Sequence, residues 1–342
     1  MRNRLVTLLI LFSAILLLSA CGSASQEKVL KKVNGKWTET NGYELDATME
    51  IKTGGEARIY DVNVWHTKPD FYRVEVVESG KDVSQMIVRN NEGVFVVTPT
   101  LNKMYKFQSD WPKKNSQAYL IGALAEDLTQ DKKLVMREEE KSFVFDAATR
   151  NSHKNSMPFQ QITVDKKTML PKSVAILNDA KEEQIRIEFK SIKLNVKHEE
   201  KEYAIEQFTD KETEKSSVDE KAAVGAEIEQ KEFQTHYPTV NWEGTKQVDD
   251  KTVKQNGQER VIITYEGTKA FTVMQQPVLK ANSLMPVTSP GDPVDLGFTI
   301  GAITDTSISW EKDGVEFFVA SSKLSREEMI EVATSMTVGG LK

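Results

Sequence analysis

The chain has 342 residues, with 45 Lys and Arg against 51 Asp and Glu, and a single cysteine. A net charge of −6 argues against nucleic acid as a partner and against charge-driven adhesion to an anionic bilayer. One thiol excludes an internal disulfide framework, so ordinary apolar cores must hold the fold, and the length predicts two domains.

Arg2 and Arg4 precede an uncharged run from Leu5 to Leu18, and the small residues Ser19 and Ala20 stand directly before Cys21. This is the layout of a secretory signal peptide, and the run is short of the about 20 residues that a membrane-spanning helix needs. Leu18-Ser19-Ala20-Cys21 resembles a lipobox, the bacterial lipoprotein signal. The resemblance implies cleavage before Cys21 and attachment of a diacylglyceryl group to its thiol. Two acyl chains suffice for stable anchoring where one does not. The expected arrangement is a signal peptide over 1–20 and a lipidated tether over 21–26. The expected location is the extracytoplasmic face of the cell membrane.

Glu27 to Thr40 reads as a helix, with Val29, Leu30, Val33 and Trp37 on one face. From Tyr43 the period shortens. Segments near 43–52, 58–66, 71–78, 83–89, 93–98 and 103–108 are rich in Val, Ile, Tyr and Phe. Gly54-Gly55, Pro69-Asp70, Ser79-Gly80 and Asn90 to Gly93 separate them, which predicts an antiparallel meander. Asn115 to Leu128 reads as a second helix, with Leu120, Ile121, Leu124 and Leu128 on one stripe. Strands then resume near 142–147, 160–165, 171–178 and 184–194. The expected class is α+β, with helices covering one face of a long curled sheet.

Lys211 to Lys231 is nearly free of large apolar residues and reads either as a linker or as a solvated surface helix. A second β-rich unit follows Tyr237-Pro238, with strands at 261–267, 270–277, 305–314 and 315–322. Ser325 to Glu328 forms a Ser-x-x-Glu capping box and opens a helix whose Met329, Ile330, Ala333 and Met336 share a face. Domains are therefore expected over 27–208 and 237–342, joined by 209–236.

Within "VNVWHTKPDFYRVEVVESGKDVSQMIVRNNEGVFVVTPTLNKMYKF", Pro69, Arg73, Gly93, Pro99, Asn102 and Tyr105 stand where the LolA-like lipoprotein carriers have their pattern, and "VDKKTMLPKSV" resembles that family's later hairpin. The end of the chain resembles a domain of unknown role from spore-forming Gram-positive bacteria. The combination is similar to the sporulation lipoproteins of the YdcC and GerS type. The resemblance implies an open antiparallel half-barrel with helices in its concave face, followed by a smaller α+β domain. It also implies an apolar cavity. Val62, Val64, Val74, Val76, Phe143 and Phe145 from the sheet, with Leu120 and Leu124 from the second helix, are the candidates to line it. The same positions are apolar in any sheet with one buried face. Two functions follow from the resemblance. One is an adaptor for a cell-envelope protein such as a cortex amidase, at the cell or forespore membrane. The other is the binding of a lipid or acyl chain in the cavity.

Enzyme signatures are absent from the sequence. His66, His153, His198 and His236 stand in separate contexts without metal-ligand spacing, and there is no G-x-S-x-G elbow or phosphate-binding glycine loop. Glu138 to Glu140 and Glu199-Glu200 read as solvated charge, because neighbours on a strand face opposite ways. A non-catalytic protein without metal or cofactor is expected.

Overall fold

The structure, a computed structural model, describes residues 25–52, 57–80, 84–112, 117–150, 154–208, 234–255, 258–279, 281 and 284–339. The expected signal peptide, Cys21 and the charged segment 211–231 lie outside the described residues.

Helix α1 (Gln26–Thr38) buries Val29, Val33 and Trp37, one side chain per turn on one face. Both ends are fastened to the sheet it covers. The Gln26 amide donates to the Leu134 carbonyl at 3.1 Å and accepts from the Met136 N–H at 3.0 Å. The Trp37 indole N–H donates to the Met169 carbonyl at 2.8 Å.

Six strands follow as a meander: β1 (Gly42–Ile51), β2 (Arg58–Thr67), β3 (Phe71–Glu78), β4 (Ser84–Asn90), β5 (Gly93–Thr98) and β6 (Lys103–Phe107). Their register brings the inward side chains into rows, with Leu45 opposite Val64 and Val64 opposite Val74. Asn102, in the turn before β6, has φ 51°, a left-handed conformation that Asn tolerates better than most residues.

Helix α2 (Ile121–Gln130) starts six residues later than the spacing over 115–128 predicts. Gln117 to Leu120 instead form a turn closed by the Leu120 N–H on the Gln117 carbonyl at 2.9 Å, with Leu120 extended at φ −91°, ψ 118°. The turn sets Tyr119 and Leu120 into the core before the helix begins. The apolar stripe was therefore right and its first part is not helical.

A second meander comprises β7 (Val135–Glu138), β8 (Ser142–Ala148), β9 (Phe159–Asp165), β10 (Pro171–Leu177) and β11 (Glu183–Leu194). Strand β7 escaped the sequence reading because its four residues are largely exposed and lack alternation. The last strand returns to the first, β11 pairing antiparallel with β1 from Tyr43 opposite Leu194 to Ile51 opposite Ile185. The two meanders thus make one open sheet in the order β6-β5-β4-β3-β2-β1-β11-β10-β9-β8-β7.

The second unit contains β12 (His236–Pro238), β13 (Thr245–Gln255), β14 (Gln258–Gly267), β15 (Phe271–Pro277), β16 (Pro286–Ser289), β17 (Asp292–Asp295), β18 (Ile300–Ile303), β19 (Ser307–Lys312), β20 (Val315–Ala320), helix α3 (Arg326–Thr334) and β21 (Met336–Val338). Its seven-stranded sheet runs β13-β14-β15-β20-β19-β18-β17. The capping box is formed: Glu328 N–H donates to Ser325 Oγ at 3.2 Å, and Ser325 N–H to Glu328 Oε2 at 2.8 Å. Met336, expected on the helix face, sits in β21 after the helix ends, yet is buried in the same core as Met329 and Ile330.

Strand β16 does not join this second sheet. It pairs parallel with β6, from Pro286 opposite Met104 to Ser289 opposite Phe107, and becomes the twelfth strand of the first sheet. Backbone hydrogen bonds thus cross between the two units, which ties them more firmly than side-chain contact alone.

Three cores result. One fills the concave face of the half-barrel under α1 and α2. One lies between the second sheet and α3. The third covers the convex side at Phe71, Val88, Phe95 and Met104, sealed by Tyr203, Ile205 and Leu284.

Candidate functional site

The concave face of the half-barrel is shared between two covers. Helices α1 and α2 lie over one half; over the other lie β18 and the loop before it, with Phe298, Ile300 and Ala302 packed on the first core. Between the covers is a cavity of about 280 Å³. Met49, Tyr60, Val76, Gln85 and Thr98 line it from β1 to β5, and Asp295, Phe298, Ile300 and Glu311 close it from the second sheet. Strand pairing explains the set. Met49 is opposite Tyr60, and Val76 is opposite both Val62 and Gln85, so a period of two points this row inward at one end of the sheet.

The polar groups of this seam fall into two kinds. Some are paired across it. Arg58 Nη2 is 2.9 Å from Asp313 Oδ2, and Lys103 Nζ bonds Glu311 Oε1. Gln85 holds the loop through its Oε1, which accepts the Ile300 N–H at 2.6 Å. Others are buried at its wall. The hydroxyl of Tyr60 lies beside Arg58, and that of Tyr119 beside Asp295. Burial pushes Tyr60 up to about 12, and pushes Tyr119 well above the ordinary phenol range. Burial also raises the Asp295 carboxyl, against the Gly297 N–H that donates to it at 2.7 Å.

A second cavity, of about 250 Å³, opens at the other end of the concave face between α1 and α2. Trp37, Tyr43, His66, Leu120 and Ala123 line it. Burial lowers the His66 imidazole, whose ring stacks on Tyr72 at 4.2 Å.

Of the eight candidate lining residues, Val76 borders the 280 Å³ cavity and Leu120 the 250 Å³ cavity. Val62, Val64, Val74, Leu124, Phe143 and Phe145 border neither and pack together in the concave core. Tyr60 and Met49 were missed although they share the inward period of Val62 and Val64. Asp295 and Phe298 carried no sequence signal, because one ends a four-residue strand and the other sits in the loop between it and the next.

Among the described residues no cluster of three His, Cys, Asp or Glu side chains is placed to hold a metal ion. His198 instead stacks on Trp65 at 4.1 Å, with the Arg73 guanidinium 4.7 Å from the same indole. No helix among the described residues is long and apolar enough to cross a membrane.

The fold defines a two-sheet protein: an open half-barrel whose concave face is closed partly by its own helices and partly by a second sheet. The chain belongs to the YdcC-like sporulation protein family, whose model matches residues 1–203. It is 38% identical to the sporulation protein YdcC of Bacillus subtilis (strain 168) over 335 residues, 98% of this chain and 97% of that protein. Among solved structures it is similar to a LolA superfamily protein of Nitrosomonas europaea, at 9% identity and a TM-score of 0.31, over 54% of this chain and all of the other. A chain in the structure of the Clostridioides difficile CwlD amidase in complex with the GerS lipoprotein matches at 13% identity and a TM-score of 0.23, over 52% of this chain and 98% of that one.

Proposed function

We propose that this protein is a membrane-anchored sporulation lipoprotein that acts as a non-catalytic adaptor for a cell-envelope protein, with a cortex amidase as the partner class. The observation that carries the reading is the packing of most of the concave face: six of the eight residues expected to line a carrier cavity belong to the core under α1 and α2, and the space left is split between two separate cavities. A lipid carrier needs room for acyl chains beneath a movable lid, whereas α1 is fastened at both ends. The diacylglyceryl anchor on Cys21 would hold the adaptor on the extracytoplasmic face, and an anchored adaptor has no cargo to release. Membership of a sporulation family supports a forespore setting.

The test is coexpression of the full-length chain with the cortex amidase of the same organism, extraction in mild detergent and size exclusion. Co-elution as one complex supports the adaptor. Separate elution after successful extraction of both proteins counts against it.

A second reading, binding of a lipid or acyl group, is supported by the apolar walls of the 280 Å³ cavity, Met49, Val76, Leu101 and Ile300 among them. Native mass spectrometry of gently extracted protein separates the two: a reproducible lipid adduct favours this reading, and a bare mass favours the adaptor.

A further inference from the structure

Helix α1 turns Val29, Val33 and Trp37 to the sheet and leaves Lys28, Lys31 and Lys32 exposed on its other side. Spacings of three and four residues make these lysines neighbours on one face, and residues 28–38 contain no acid. Among the described residues none of the three has an ion-pair partner. The basic patch continues past the start of the helix. Gln26 is bonded to Leu134 and Met136, and the exposed Lys132 and Lys133 directly precede Leu134. Over 26–32 and 131–133, five lysines stand against two acids, Glu27 and Asp131. Both Asp131 oxygens already accept backbone N–H groups, from Lys133 and from Ala148, each at 2.7 Å. The chain as a whole carries −6, but charges more than about 10 Å from a surface are largely screened from it, so the nearest groups decide what that surface meets.

Chain length says which surface this is. From Cys21 to Gln26 there are five residue steps, a span of at most about 17 Å. Lys28, Lys31 and Lys32 follow within about the first 10 Å of the helix axis. A diacylglyceryl group on Cys21 therefore holds this face close to the phospholipid headgroups. An acidic protein would have to enter the same narrow gap, whereas the headgroups are already there. Anionic headgroups attract basic segments beside an anchor.

We propose that Lys28, Lys31 and Lys32 dock α1 on an anionic phospholipid surface beside the anchor, with Lys132 and Lys133 at the edge of the contact. The inference rests on the lipid anchor of the proposed function. Because α1 is bonded to the sheet at both ends, its docking orients the whole half-barrel. The helix lies over the concave face, so the convex face, where Lys190 pairs with Asp61 and Lys193 with Glu44, points away from the bilayer.

The test is lysine acetylation of the full-length protein, purified in detergent and inserted into preformed vesicles at pH 7, with each site followed by mass spectrometry. One set of vesicles is phosphatidylcholine; the other contains about 30 mol% phosphatidylglycerol. Lys28, Lys31 and Lys32 are expected to react at least fivefold more slowly in the anionic vesicles, while Lys190 and Lys193 react alike in both. About 0.5 M salt, which shortens the screening length to a few Å, is expected to abolish the difference. In the variant carrying Lys28→Gln, Lys31→Gln and Lys32→Gln, Lys132 and Lys133 lose their protection. Equal labelling of the α1 lysines in both vesicles overturns the proposal and leaves the face to an acidic protein. Retained protection of Lys132 and Lys133 in the folded variant overturns the role of α1. The intact mass separates the two readings: a mass without the diacylglyceryl group sinks the anchor and this orientation with it, and a lipidated mass with equal labelling sinks the orientation alone.

Discussion

Arg58 of β2 lies 2.9 Å from Asp313 in the turn between β19 and β20, and so joins the half-barrel to the second sheet. The pair is a third or so exposed, which limits it to about 0.2–1 kcal/mol. The parallel link from Lys103 to Glu311 is more deeply set, with side chains 15% and 16% exposed. Glu311→Ala leaves a largely buried ammonium without its partner and is expected to cost about 3 kcal/mol. Asp313→Ala is expected to cost less than about 1 kcal/mol. Denaturant midpoints of the two variants check the order; a larger loss for Asp313→Ala would place the main electrostatic tie at the other side of the seam.

Stability at the seam also depends on pH, with a sign set by burial. The Asp295 carboxyl is raised above its unfolded value, so the folded state binds more protons than the unfolded state in the window above the ordinary carboxylate range. Its contribution is fully present below that range and is lost as pH rises through the raised folded value. Asp295→Asn removes this dependence. The Tm of the variant minus that of the wild type should therefore grow between pH 4 and pH 7. A flat difference would mean that the carboxyl titrates alike in both states.

Helix α2 is held by packing rather than capping, since no side chain caps its N-terminus at Leu120. Leu124 is fully buried in the concave core. Leu124→Ala is expected to destabilise by about 2–5 kcal/mol through lost burial and the void left behind. Circular dichroism melts measure this; a loss below about 1 kcal/mol would show that the helix collapses onto the sheet to fill the space.

Helix α3 depends on its cap instead. Ser325→Ala deletes the acceptor for the Glu328 N–H and is expected to cost about 1 kcal/mol, near 2–4 °C in Tm for a protein of this size. The far sheet edge should keep its amide-exchange protection while α3 exchanges faster. Uniform loss of protection across the molecule would make α3 part of the global unfolding unit.

Cys21→Ala tests the anchor. The variant should leave the membrane fraction for the soluble one with an unchanged Tm, since α1 begins at Gln26, beyond the substituted position. Retention after alkaline washing would contradict the lipoprotein assignment.

The strands of both meanders were legible in the sequence because each half-buried strand repeats its apolar side chains every second residue, and turn residues mark its ends. Val62, Val64 and Val74 could be placed on the inner face by that period alone, and Ser325 with Glu328 announced a helix through a purely local bond. What the period could not state is how far the inward face is filled. Whether Val76 and Leu120 meet space or a neighbour depends on which residues arrive from elsewhere in the chain. Asp295 at the end of β17 and Phe298 in the loop after it reach the seam from about two hundred residues beyond β3, in a stretch with no pattern of its own. The pairing of β16 with β6 is equally non-local, since four residues of strand carry no mark of the sheet they will join. Local chemistry thus determined the elements and their faces. Tertiary structure alone decided what covers the concave face, because close packing is a property of the surfaces that meet and not of either one.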